Sequence, residues 1–193
     1  LMGYANPIFR MGLDTFAHRA RQAGASGTIV SDLTPEESDA WITVSHREGL
    51  DNIFLVAPTS TDERLDVACS RCTGFVYAVS RTGATGAAQS APPEVRDLFV
   101  RVKARTALPV CVGFGISSPE HVRMVCEVAD GAVVGSWLVD LLAREWQGGS
   151  GRAKVVDAVQ GLKKATLSEA KREGPPPRAS EGDLRRETRE KGE

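Results

Sequence analysis

The sequence predicts an α/β chain of parallel strands joined by helices. Three observations carry this: short β-branched runs recur along the chain, amphipathic helical stripes lie between them, and hydroxyl–carboxylate pairs mark the helix starts. The strand runs are Gly27-Thr28-Ile29-Val30-Ser31, Ile53-Phe54-Leu55-Val56, Phe75-Val76-Tyr77-Ala78-Val79, Pro109-Val110-Cys111-Val112 and Ala132-Val133-Val134. They are largely apolar on both faces, as strands covered from both sides must be. Leu13, Phe16, Ala17 and Ala20 make one helical stripe; Leu65, Ala68, Cys69 and Cys72 make a second. Val95, Leu98, Phe99 and Val102 form a third, and Val122, Val125, Cys126 and Ala129 a fourth. Thr34-Pro35-Glu36-Glu37, Ser60-Thr61-Asp62-Glu63 and Ser117-Ser118-Pro119-Glu120 each read as a capping box. In two of them proline falls in the first turn, where its missing N–H costs little. Strand, cap and helix therefore repeat, with right-handed crossovers.

Length and composition bound the rest. A chain of 193 residues is long enough to bury one real core, and 24 basic against 25 acidic side chains argue against electrostatic nucleic-acid binding. No apolar run approaches the roughly 18 residues of a membrane helix. Four cysteines in a chain of this size fit a reduced, cytoplasmic setting better than a disulfide scaffold. Residues 1–168 carry the repeat. Residues 169–193 read as a disordered tail, holding Pro175-Pro176-Pro177 and dense charge with almost no aliphatics. Residue 1 is leucine, inside the apolar stretch Leu1-Met2-Gly3-Tyr4, and this raises the expectation that an N-terminal part is missing.

The gap between the strands near residues 75 and 109 is about ten residues longer than its neighbours. The excess, from Arg81 through Gly83, Thr85 and Gly86 to Ser90, follows the carboxyl end of a strand and suits a mobile lid. Barrels and doubly wound sheets alike bind ligands at that end. There the next two strands present Gly113-Phe114-Gly115-Ile116-Ser117 and Gly135-Ser136, the latter opening a helix expected over Trp137–Trp146. A glycine-serine step at a helix N-terminus offers backbone N–H groups, a hydroxyl and the positive end of the macrodipole, which suits a phosphate.

These segments also carry a resemblance. Tyr4-Ala5-Asn6-Pro7, Ser31-Asp32-Leu33-Thr34-Pro35-Glu36-Glu37, Tyr77-Ala78-Val79-Ser80-Arg81-Thr82-Gly83-Ala84-Thr85-Gly86, Gly113-Phe114-Gly115-Ile116-Ser117 and Gly135-Ser136 together resemble the tryptophan synthase alpha subunit family over roughly residues 1–168. The resemblance implies a TIM (β/α)8 barrel and a lyase that splits indole-3-glycerol phosphate into indole and glyceraldehyde 3-phosphate by a retro-aldol reaction. It implies a beta-subunit partner in an alpha2beta2 assembly, with pyridoxal phosphate on that partner and no cofactor or metal here. It implies a lid at Arg81 to Gly86, with Thr85 contacting the catalytic aspartate. Tyr77 would line the cavity, and Gly86, Gly115, Gly135 and Ser136 would hold the phosphate. The substrate-binding set is thus Tyr77, Arg81, Gly83, Thr85, Gly86, Gly115, Gly135 and Ser136.

The family's glutamate and aspartate acid/base pair would precede Leu1, so no catalytic residue is assigned within the chain. A strand tail at Leu1–Tyr4 and five full strands make about six of the eight a closed barrel needs. The 193 residues alone are therefore expected to show no cleavage activity and weak stability in isolation. Asp32 is the best-placed carboxylate, and the resemblance gives it an interface role. Trp137 departs from the small residue usual beside the phosphate serine; it either points outward or crowds the pocket rim.

Other features read as structural. Cys69 and Cys72 share an apolar stripe, and His18, His46 and His121 lie on three helices without ligand spacing. Glu94, Arg96, Asp97 and Arg101 read as a solvated helix face. Two other readings stay open: a non-catalytic regulatory subunit that binds a phosphorylated ligand, and another phosphate-binding barrel enzyme, which the lid motif disfavours.

Overall fold

The computed structural model describes residues 1–79, 93–113 and 115–167. Its strands are β1 (Met2–Gly3), β2 (Gly27–Val30), β3 (Asp51–Ile53), β4 (Leu55–Val56), β5 (Val76–Val79), β6 (Val110–Gly113) and β7 (Gly131–Val133). The helices are α1 (Ala5–Met11), α2 (Leu13–Gln22), α3 (Asp39–Arg47), α4 (Asp62–Arg71), α5 (Pro93–Lys103), α6 (Pro119–Cys126), α7 (Ser136–Glu145) and α8 (Arg152–Ala165), with a 3₁₀ turn at Pro35–Glu37. Every strand pairing is parallel, in the order β1-β2-β3 and β4-β5-β6-β7. The order never reverses. That excludes the switch point of a doubly wound sheet and leaves the barrel winding.

β3 and β4 are halves of one strand, interrupted at Phe54. The Phe54 N–H donates to Cys72 Sγ at 3.2 Å. Its carbonyl accepts from the Tyr77 N–H at 3.1 Å, so β5 bridges the break. Among the described residues the sheet therefore has six strands, as the sequence predicts, and the barrel is incomplete.

Register separates the two faces. Residues paired across parallel strands point the same way, which aligns Met2, Ile29 and Ile53 in one row and Leu55, Tyr77, Cys111 and Gly131 in another. These rows face the barrel interior. The alternate residues Val56, Val76, Ala78, Val110 and Val112 face the helices and are buried among Leu65, Leu98, Val102 and Val122. Four expected stripes thus become the inner faces of α2, α4, α5 and α6. A smaller core, with Ala5, Ile8, Ala17, Ala20, Val30, Trp41, Val44 and Leu50, lies under α1, α2 and α3.

The capping boxes need correction. At Pro35–Glu37 the Thr34 hydroxyl donates to Glu37 Oε2 at 3.1 Å and caps nothing, and α3 begins four residues later behind Ser38. The Ser38 hydroxyl is turned back onto the Pro35 carbonyl at 2.7 Å. In the other two boxes the cap is one residue further on. Thr61 accepts from the Arg64 N–H at 3.4 Å and Ser118 from the His121 N–H at 3.2 Å. The carboxylates of Glu63 and Glu120 therefore fall one position early and bond their own N–H groups, which lowers their pKa. Residues 169–193, expected as a tail, lie outside the described residues.

One buried group stands unsatisfied. Thr28 is 3% exposed, and its hydroxyl has no hydrogen-bond partner among the described residues. An unpaired buried hydroxyl carries a desolvation cost that a methyl group does not. Thr28→Val is expected to raise stability by about 1 kcal/mol, read from the denaturant midpoint. A lowered midpoint would show that the hydroxyl is engaged.

Candidate functional site

The carboxyl ends of β5, β6 and β7 lie side by side, because Val79 pairs with Gly113 and Gly113 with Val133. The three loops that the sequence singles out thus leave one stretch of rim. Arg81, Gly83, Thr85 and Gly86 lie outside the described residues, as does Phe114; Tyr77, Gly115, Gly135 and Ser136 lie within them.

Gly135 is the N-cap of α7, which starts at Ser136, one residue before the expected Trp137, and ends at Glu145. The Gly135 carbonyl accepts from the Leu138 N–H at 2.9 Å and the Val139 N–H at 3.2 Å, so the helix winds directly from the cap. The first N–H groups of a helix have no carbonyl one turn back to meet. A β-carbon placed on Gly135 would touch nothing within 4 Å, and Gly135 and Ser136 are both exposed. This helix end therefore opens freely to the rim. Gly115 turns the chain after β6 at φ +69°, a left-handed conformation that favours glycine.

Tyr77 is buried on the interior face and lies across Gly113 of the next strand. A β-carbon on Gly113 would sit 2.6 Å from Cε2 and 2.8 Å from Cζ of the tyrosine ring, so only glycine leaves room for it. Burial pushes the Tyr77 hydroxyl pKa up, which keeps the phenol neutral. Along the same face Ile29, Ile53 and Leu55 supply an apolar wall, a set that sequence reasoning missed. Strand alternation was the available signal, but it needs the register to say which side is inside.

The carboxylates near the sheet are otherwise engaged. Asp32 Oδ1 accepts from the Ala5 N–H at 2.7 Å and so satisfies the first turn of α1. Asp130 Oδ2 accepts from the Val110 N–H at 2.9 Å and from Lys103 Nζ at 3.2 Å. Asp51 lies at the amino end of β3, opposite the rim.

Trp137 is half-buried, packs against the larger core and lines a cleft with Leu138, Val159 and Leu162. Arg101 departs from the expected solvated face. It is half-buried and donates to the Ser60 carbonyl at 2.7 Å and to Asp62 Oδ1 at 2.8 Å. This ties α5 to the loop after β4 and holds the Asp62 carboxyl below its ordinary pKa. Nothing in a single helix pattern could reveal that partner. Cys69 and Cys72 are free and buried, and among the described residues no group of His, Cys, Asp or Glu is arranged to hold a metal.

Among the described residues, six consecutive parallel strands define an incomplete (β/α) barrel with an open glycine-serine helix end on its rim. Comparison with known proteins gives the particular family. The family model for the tryptophan synthase alpha chain matches residues 1–167. The Methanocaldococcus jannaschii tryptophan synthase alpha chain is 48% identical over 141 residues, covering 73% of this chain and 50% of that protein. The Carboxydothermus hydrogenoformans alpha chain is 43% identical over 159 residues, covering 82% of this chain and 60% of its own length. Among solved structures, a chain of the tryptophan synthase a2b2 complex from Pyrococcus furiosus superposes with a TM-score of 0.75 at 38% identity, covering 85% of this chain and 66% of that one. The chain belongs to the tryptophan synthase alpha chain family. It spans between half and three-fifths of the length of these curated relatives.

Proposed function

We infer that this chain supplies the phosphate-binding and lid portion of a tryptophan synthase alpha-type lyase, which cleaves indole-3-glycerol phosphate to indole and glyceraldehyde 3-phosphate. One observation carries the reading: the open N-terminus of α7 at Gly135 and Ser136 stands on the same rim as Gly115 and the carboxyl end of β5. The phosphate would take the backbone N–H groups and hydroxyl of that helix end. Tyr77, Ile29, Ile53 and Leu55 would form the apolar wall for the indole ring. Arg81, Gly83, Thr85 and Gly86 would close over the substrate.

Retro-aldol cleavage breaks the bond between the indole ring and the glycerol chain. A base takes the glycerol hydroxyl proton, and an acid protonates the ring carbon. Asp32 and Asp130 are committed to backbone N–H groups, and Asp51 stands at the opposite end of its strand. That placement favours binding without turnover for residues 1–193 alone, with the acid/base pair supplied from outside this segment.

The family reading further gives a cytoplasmic enzyme with no cofactor of its own, docked to a beta subunit that carries pyridoxal phosphate. The exposed Phe9, 53% accessible, stands beside Asn6, Asp32 and Leu33 at the mouth of β1 and β2 and offers a contact face for it. Among the described residues no helix is long and apolar enough to cross a membrane.

The test is calorimetric titration of the 193-residue chain with indole-3-glycerol phosphate, alongside an assay for released indole. Binding without indole release is expected, and Ser136→Asp, which sets a like charge against the phosphate, should weaken binding at least about tenfold. Binding that is indifferent to Ser136→Asp would remove the helix end from the site. Indole release by the chain alone would show that its acid and base lie within these residues.

A further inference from the structure

We propose that Arg101 is a positioning residue: from outside the barrel it fixes the turn after β4, and through that turn the Leu55 side of the wall that meets the indole ring. The inference rests on the reading of the reaction and adds to it a side chain that touches no substrate.

The need for such a residue comes from the break at Phe54. Before the break the strand lies against β2, with Ile53 opposite Ile29. After it, among the described residues, Leu55 and Val56 pair with β5 alone. On the β2 side the Val30 carbonyl is turned to the Leu33 N–H at 3.2 Å. A cavity of about 340 Å³ opens in that gap, between Pro35 of the loop after β2 and Leu55, Ala57, Ser60 and Val79. A two-residue strand with one partner has few bonds of its own, so its placement depends on what holds its ends.

The amino end is held where Phe54 meets Cys72 and Tyr77. The carboxyl end runs into a closed turn. The Ala57 N–H donates to Ser60 Oγ at 3.0 Å, and the Ser60 N–H donates to the Ala57 carbonyl at 2.8 Å. Arg101 grips this turn from α5. Its Nη2 donates to the Ser60 carbonyl at 2.7 Å and its Nη1 to the Pro58 carbonyl at 3.5 Å. Nε and Nη2 also hold Asp62 Oδ1, at 3.1 and 2.8 Å. A rigid planar fork can span two carbonyls and a carboxylate at once. The side chain is 32% exposed, so water competes only in part for these bonds. Arg105 supplies the contrast. Its bonds go to Asp62 and Asp66 of α4 and to the Arg101 carbonyl, so it ties the same helices together from beyond the turn.

A pocket wall works only if its supporting contacts hold it in place. The test is calorimetric titration of the full 193-residue chain with indole-3-glycerol phosphate and with glycerol 3-phosphate, which lacks the ring. Arg101→Gln should weaken the indole ligand about tenfold, the scale of a lost fit in an apolar pocket, and leave glycerol 3-phosphate unchanged. Arg105→Gln, which loosens the same helix pair, should leave both affinities unchanged. Hydrogen exchange at the Ala57 and Ser60 amides should quicken in Arg101→Gln and not in Arg105→Gln. Equal losses for the two ligands, the same selective loss in Arg105→Gln, or unaltered exchange of the turn amides would each overturn the proposal. If the unsubstituted chain binds neither ligand, the reading of the reaction falls; if it binds both and Arg101→Gln keeps their ratio, the role of Arg101 alone falls.

Discussion

Gly113→Ala is expected to destabilise the chain by about 1–3 kcal/mol, the usual cost of forcing extra volume into a packed site. The added methyl would lie within 3 Å of two ring carbons of Tyr77. The ring cannot easily withdraw, because it is 8% exposed and lies in the interior row between Leu55 and Cys111. Tyr77→Ala alone should also destabilise, by about 3–5 kcal/mol, through the cavity it leaves. The informative variant is the double one. With the ring gone, the methyl of Gly113→Ala meets no clash, so the double variant should be no less stable than Tyr77→Ala. Additive losses in urea would show that Gly113 is constrained by something other than the tyrosine. The pair also bears on the site, since displacing the ring would move the wall proposed for the indole.

Alkali should unfold the chain through Cys72. Burial pushes this thiol from an ordinary value of 9.0 up to about 11, the Phe54 N–H opposing the shift and Cys69 adding to it. Below pH 9 the thiol is protonated in both states and its stabilising contribution is complete. Between pH 9 and 11 the unfolded chain releases the proton while the folded chain keeps it. The unfolded state then binds fewer protons, and stability falls as pH rises. The loss over that window should be of the order of 2 kcal/mol. Unfolding free energies of the chain and of Cys72→Ala, measured from pH 8 to 11, should converge as the wild type loses its advantage. Parallel curves would show that the thiol titrates alike in both states.

The sequence made the repeat legible because its signals are local. The runs around Ile29, Tyr77 and Val112 are short, β-branched and bounded by caps, and each became a strand. What stayed hidden depends on partners distant in the chain. The break at Phe54 arises because its amide is taken by a sulfur 18 residues away. Arg101 reads as surface until the loop carbonyl of Ser60, 41 residues earlier, is brought to it. α1 was hidden because its exposed first turn is satisfied by Asp32, 27 residues on, rather than by a local cap. At the site, Gly135 and Ser136 could be placed from their helix alone. The crossing of Tyr77 over Gly113 requires the register of two strands.

The interruption at Phe54 coincides with the division between the two cores. Toward the amino end lies the smaller core, under α1 to α3; from Phe54 onward lies the larger, under α4, α5, α6 and α8. Ile42 reaches from α3 into the larger core, but much of the remaining seam is polar, with Arg71 bonded to the Pro35 carbonyl and to Asp39, and Arg64 3.4 Å from Glu36. Partly exposed ion pairs of this kind add little cohesion. The smaller core is therefore expected to open at a free energy below that of global unfolding. The rim at Gly115, Gly135 and Ser136 belongs entirely to the larger one. The phosphate contacts proposed at Gly115, Gly135 and Ser136 would therefore be insulated from excursions of the first fifty residues, whereas the Ile29 side of the proposed indole wall would loosen with them.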